Sequence, residues 1–350
     1  MERGEVALPV TAHNQQNGIA CAGNWIVDVV HTASHWPNKG DLVRLSGRHI
    51  GVGGGAANVL TDLASFDAPF PLAAIGCVGP DANGDIIRAH CEKIGVQTSG
   101  LLSVAGTLTA YDEVISVPGD SRTFFYHGGA NDIFNVGDVP VEDLAADGYR
   151  IFYLGYLMLL GELDRLREDG TTGASLLLQR VRDAGMITCV DLVSDSNPAF
   201  RTIVAPSLPH CDYLIVNEIE AGRASGMTVR GPKGELLHDQ LVQASEGLIA
   251  AGVKQAVVIH APEGALWAGV HSEALWIPSK PVSPDKIVSP VGAGDAFCAA
   301  VVYGIHENWP NRKTLEIAHL AAVACLGGAT ATDGIPAMNT LLRQIEATCG

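Results

Sequence analysis

The chain has 350 residues, 47% hydrophobic and 17% charged, which is enough apolar material for a sizeable core and too much for a globally disordered chain. Its 22 basic against 38 acidic residues give a formal charge of -16, which opposes nucleic-acid phosphates and anionic membrane surfaces as partners. No apolar run reaches the ~18 residues needed to span a bilayer, and eight cysteines without a C-x-x-C pair read as buried thiols of a reducing, cytoplasmic compartment.

Residues 1–17 read as a loose polar N-terminus, followed by one α/β domain over 18–350. The segment GIACAGNWIVDVV (18–30) predicts a first strand, and the glycine cluster at 51–55 opens a helix through Ser65. A strand over 72–78 follows, then the turn GPDANGD and a helix over 83–94. Two stretches break the rhythm, 31–50 and 107–127; the second reads as a hairpin around a Pro-Gly turn, and together they suit a small β-sheet lid. From Arg150 the alternation is regular, with strands near 151–156, 187–192, 213–216 and 255–260 separated by helices such as 173–184 and 238–251. This pattern predicts βαβ crossovers and a parallel sheet. A hairpin of 265–270 and 274–277 and helices over 293–306, 312–327 and 338–348 complete the chain.

Four segments carry chemistry. In SPVGAGDAFCAAVVYG (289–304) small residues bring backbone close to a ligand at a helix start, where the N–H groups of Gly292, Ala293 and Gly294 suit a transferring phosphoryl group. Asp295 in the same turn is placed to accept a hydroxyl proton; its bland alternative is a helix cap. GGGAAN (53–58) likewise starts a helix, with Gly53, Gly54 and Gly55 leaving room for a polyhydroxy ligand and Asn58 one turn in. NWIVD (24–28) offers Asn24 and Asp28 for ligand hydroxyls, or only a turn former. NEIE (217–220) puts Asn217 and Glu220 three apart at the end of a strand, suited to Mg²⁺ held through waters or to nothing more than an acidic first helical turn. No G-x-x-x-x-G-K-[ST] is present, which excludes a P-loop. The match of GVGGGA (51–56) to G-x-G-x-x-A raises an NAD(P) enzyme as a rival, weakened because the cluster does not tightly close the first strand.

In this order and spacing the four segments resemble the ribokinase-like (PfkB) carbohydrate kinases from about Gly18 to Ala347, most specifically at Ser289-Pro290-x-Gly292-Ala293-Gly294-Asp295 and Gly53–Asn58. The resemblance implies a three-layer α/β/α sandwich with a mostly parallel central sheet and a small β-sheet lid, often shared in a homodimer. It implies an ATP-dependent kinase acting on a hydroxyl of a sugar-like substrate, with Asp295 as base, Gly292, Ala293 and Gly294 as anion hole, and Asp28 and Asn58 on the substrate. Asn217 and Glu220 match the family's N-x-x-E, associated with magnesium and phosphate. The stretch HAPEGA, with His260, Glu263 and Gly264, and the helix around Cys325 are implied for the adenine pocket.

Three departures stand out. Gly55 replaces the lysine usual in ribose kinases, and His260-Ala261-Pro262 replaces the usual phosphate-contacting loop. Ser289-Pro290-Val291 replaces D-T-T, removing an aspartate associated with a monovalent cation and leaving such activation open. A nucleoside kinase on the same scaffold, stacking a base on Tyr111 or Phe125, is the nearest alternative; an idle sugar-binding protein is a further one.

Overall fold

Strand and helix alternate through the chain because apolar residues recur with two periods, and burying both kinds of face at once requires layers. A computed structural model describes residues 17–120, 122–283 and 286–349; the N-terminal stretch expected to be loose lies, Asn17 apart, outside them. In chain order the strands are β1 (Gly18–Gly23), β2 (Ile26–Ala33), β3 (Leu45–Gly53), β4 (Leu72–Val78), β5 (Gln97–Ser103), β6 (Tyr111–Ser116), β7 (Thr123–His127), β8 (Tyr149–Leu157), β9 (Ile187–Leu192), β10 (Tyr213–Asn217), β11 (Ala256–Ala261), β12 (Gly264–Gly269) and β13 (Leu275–Pro278).

Nine of them form one sheet in the order β13-β12-β11-β10-β9-β8-β1-β4-β5. It is parallel from β5 to β11, and β12 and β13 add an antiparallel edge. Side chains alternate between two cores. Ile19, Cys21, Ile151, Tyr153 and Val258 pack against the helices Gly55–Ser65, Ala293–His306 and Asn311–Leu326, while Ala20, Ala22, Phe152, Leu154 and Val257 pack against Gly173–Asp183, Glu218–Ser225 and His238–Ala250. Three layers follow from strands buried on both faces.

The remaining four strands form a separate sheet in the order β3-β2-β6-β7, the small sheet expected from the two irregular stretches. Strand β2 corrects one expectation: 18–30 is two strands in two sheets. The break falls at Asn24-Trp25, where the indole N–H of the buried Trp25 donates to the Ile75 carbonyl at 2.9 Å and turns the chain out of the large sheet. Asn24 N–H keeps its partner in the large sheet, Gly155. Strand β5, absent from the sequence reading, is a half-exposed edge whose QTSG start carries little apolar signal.

Candidate active site

The site lies where parallel strands end, the position that doubly wound sheets reserve for ligands. Asn24 follows β1, Tyr156 sits near the end of β8, Asp191 near the end of β9, Asn217 closes β10 and His260 comes late in β11. Facing them is the N-terminus of the helix Ala293–His306, capped by Gly292 at φ 87° with no side-chain cap. A Cβ on Gly292 would stand 2.0 Å from the Ala331 carbonyl oxygen, so only glycine makes this turn. The first-turn N–H groups have no intrahelical acceptor and, with the helix dipole, favour an anion.

Asp295 is buried in that first turn. Asn58 Nδ2 donates to its Oδ2 at 3.0 Å and the Tyr156 hydroxyl donates to its Oδ1 at 2.5 Å. Burial pushes the Asp295 carboxyl up to about 6, against the lowering effect of these two hydrogen bonds. Such a group is ionised near neutral pH yet basic enough to take a proton.

On one side of Asp295 stands the small sheet. Asp28 is pushed up to about 7 by burial and by the charges of Asp112 and Asp295, with Arg122 opposing. Gly53 lies against the Asp28 carboxyl, and Gly54, at φ 97°, runs close to the Asn24 backbone. Gly55 faces the Tyr156 ring, which a Cβ there would meet at 2.7 Å; tyrosine occupies the space that a side chain at 55 would need. The Asn24 amide is turned to the segment after β8, accepting from Tyr156 N–H at 2.5 Å and donating to the Leu159 carbonyl at 2.7 Å. Tyr111 and Phe125 lie on the face of the small sheet opposite Asp28, Tyr111 beside His127 and Phe125 59% exposed.

On the other side a cavity of about 850 Å³ reaches Ala293 and Gly294. Trp276, Pro281, Val282, Phe297, Val323 and Leu326 make it mostly apolar, and His260, His319 and Asn217 add polar edges. Burial and the neighbouring His319 push the His260 imidazole down to about 4, leaving it neutral. Of the segments implied for an adenine pocket, His260 and, from the helix around Cys325, Val323 and Leu326 line this cavity, whereas Glu263, Gly264 and Cys325 itself do not. Glu263 is held with Glu218 by Arg230, at 2.9 Å and 2.7 Å. Gly264 packs under Trp276, and the Cys325 thiol is buried, donating to the Ala331 carbonyl at 3.2 Å.

Asn217 and Glu220 form a reciprocal capping box on the helix Glu218–Ser225: Glu220 N–H donates to Asn217 Oδ1, and Asn217 N–H to Glu220 Oε2, both at 2.9 Å. Ser194 donates to Glu220 Oε1 at 2.9 Å. Burial pushes Glu220 up to about 7 and, with the Glu220 and Asp295 charges, holds Asp191 well above the carboxylate range. Among the described residues no group of three or more His, Cys, Asp or Glu side chains is arranged to hold a metal directly. Hard oxygen donors at this spacing fit a divalent cation held through water.

Sequence reasoning missed Tyr156, Asp191, Asp112 and Trp276. The first two stand near the ends of parallel strands, the rule that picked out Asp28 and Asn217, and were there to be found. Asp112 and Trp276 acquire their places from sheet register and hairpin packing, which no local motif encodes.

The pfkB family carbohydrate kinase model matches residues 16–338, and the chain belongs to that family. It is thereby a sugar kinase, a phosphotransferase with a hydroxyl acceptor. It is 22% identical over 320 residues to the deoxyribokinase of Salmonella typhi, covering 91% of this chain and 96% of that one. To the ribokinase of Schizosaccharomyces pombe it is 24% identical over 325 residues, covering 91% and 95%. The structure of Arabidopsis thaliana ribokinase complexed with ribose and ATP matches with a TM-score of 0.77 at 21% identity, over 95% of this chain and 99% of that one, which establishes the ribokinase-like fold. No helix among the described residues is long and apolar enough to cross a membrane.

Proposed function

We propose that the protein transfers the γ-phosphoryl group of ATP to a hydroxyl of a small carbohydrate, with Asp295 as general base. The observation that carries this reading is the position of Asp295: buried, shifted to about 6, and in the turn whose free N–H groups face the apolar cavity. The cavity supports a nucleotide with its base among Trp276, Val323 and Phe297 and its phosphates toward Gly292–Gly294. The relatives named for ribose or deoxyribose, and the neighbour complexed with ribose and ATP, support the same substrates here. The acceptor then lies between Asp295 and the small sheet, against Asp28 and Asn58.

In-line phosphoryl transfer depends mainly on positioning and on stabilising charge. Here the Gly292–Gly294 turn faces the transferring group, and Asp295 takes the hydroxyl proton as that oxygen attacks. Asn58 and Tyr156 fix the carboxylate's orientation by one hydrogen bond to each oxygen. Glu220, Asn217 and Asp191 would hold Mg²⁺ through water, and the ion would supply charge neutralisation of the triphosphate. The reading includes a homodimer through the small sheet, where Leu45, Ile50, Phe124 and Phe125 are well exposed.

The test is ADP release from Mg-ATP across pentoses, deoxypentoses, hexoses, sugar acids, sugar phosphates and nucleosides, with the parent and Asp295→Asn side by side. Removal of a general base is expected to lower turnover by roughly 10²–10⁴-fold with unchanged ATP affinity. A variant as active as the parent would remove Asp295 from the mechanism.

A further inference from the structure

Beside Asp28 the small sheet holds a second carboxyl that the site so far leaves without a role. Asp112 is paired with Asp28 across β2 and β6 and with Tyr126 across β6 and β7. Strand alternation puts these three side chains on one face, and Val27, Val29, Tyr111 and Glu113 on the other. The second face is the structural one: Val27 and Val29 belong to the core of the large domain, and Tyr111 packs against it. The first face carries the acceptor side, because Asp28 on it lies against Gly53 and within the field of Asp295.

Asp112 is 9% exposed, and its Oδ1 is buried with no hydrogen-bond partner among the described residues. Native folds seldom leave such an oxygen without a donor, and one beside a binding site calls for an explanation, which a donor on the ligand supplies. Hydroxyl groups supply the missing donors. A carboxylate or phosphate on the ligand supplies none, and it would add a negative charge to a region already holding Asp28, Asp112 and Asp295. The Asp28 carboxyl is already pushed up to about 7, and the opposing influence of Arg122 ranks behind burial, Asp112 and Asp295.

We propose that Asp112 is a second acceptor-binding residue and that, with Asp28, it selects an uncharged polyhydroxylated acceptor over sugar acids and sugar phosphates. The proposal rests on the kinase reading of this site. Asp112 reads the hydroxyls on the part of the acceptor farther from the reacting oxygen, so its contribution falls on acceptor binding and not on the chemical step.

The experiment compares the parent with Asp112→Ala and, on the opposite face of the same strand, Glu113→Gln. Acceptor KM, ATP KM, kcat and melting temperature are measured, after the parent has been run against uncharged sugars and polyols, sugar acids and sugar phosphates. The expected result is turnover with uncharged acceptors, an acceptor KM raised about tenfold or more in Asp112→Ala, and kcat within about threefold. ATP KM stays unchanged, the melting temperature is equal or higher because a partnerless buried carboxyl has been removed, and Glu113→Gln behaves as the parent. A sugar acid or sugar phosphate as the best acceptor overturns the proposal while leaving the kinase reading intact. So does an unchanged acceptor KM in a folded Asp112→Ala protein, or a KM change matched by Glu113→Gln. Should Asp112→Ala fail to fold, Asp112 is structural and the proposal falls. Phosphate transfer to no member of the panel overturns the kinase reading and the proposal with it.

Discussion

Changing Tyr156 to phenylalanine removes one hydroxyl from the site and leaves its ring packed against Gly55. That hydroxyl donates to Asp295 Oδ1 at 2.5 Å and lowers the carboxyl's affinity for a proton, leaving its pKa at about 6 despite burial. Hydrogen bonds to charged groups contribute roughly 1.5–3 kcal/mol, and 1.36 kcal/mol corresponds to one pKa unit. With Asn58 still donating to Oδ2 and water able to replace part of the lost bond, an upward shift of about one unit is expected. The base works when ionised, so turnover rises with pH through its pKa, and a raised pKa moves the acidic limb to higher pH. For a shift from about 6 to about 7 the ionised fraction at pH 6 falls from about half to about a tenth, a loss of about fivefold in kcat, whereas at pH 8 the two proteins nearly coincide. The assay is kcat against pH at saturating acceptor and Mg-ATP, for parent and Tyr156→Phe. An acidic limb that stays in place or moves to lower pH would refute the assignment of Tyr156 as the group that tunes the base.

Gly292→Ala places a methyl group against the Ala331 carbonyl at a φ of 87°; turnover is expected to fall by at least about a hundredfold as the turn proposed to hold the phosphates is displaced, measured as ADP release at saturating substrates. Gly55→Ala drives a Cβ toward the Tyr156 ring, which is expected to cost about 1–3 kcal/mol in urea unfolding and to raise the acceptor KM, with the ATP KM unchanged. Glu220→Gln keeps a side chain able to complete the capping box with Asn217 but not the charge; the expected outcome is a near-normal melting temperature with a raised Mg²⁺ requirement, read from ADP release against Mg²⁺ concentration at fixed ATP.

Much of the fold is legible in the chain because it rests on local rules. The helix over 293–306 is bounded as expected, since a glycine pair, an aspartate and an unbroken small apolar run specify start, first turn and buried face. The strands over 72–78 and 187–192 also fall where their apolar runs place them, because strands covered on both faces need only to be apolar throughout. The same rule failed at 18–30: a continuous apolar pattern cannot signal that Trp25 turns the chain from one sheet into another, since that turn depends on a hydrogen bond to Ile75, fifty residues away.

The sequence by itself determined the glycine turn at Gly292–Gly294, the aspartate beside it and the glycine-rich start that holds Asn58, because each needs only neighbouring residues of the right size at a helix N-terminus. Tertiary structure alone decided what surrounds Asp295. The ring of Tyr156 fills the space above Gly55, Asp112 meets Asp28 through the pairing of β2 with β6, and the cavity wall comes from Trp276 of the antiparallel edge and not from Cys325 or Glu263. Such contacts join residues far apart in the chain, as in the Asn58–Asp295 hydrogen bond with its separation of 237, where the packing of two helices on one face of the sheet sets the contact and no short-range pattern records it.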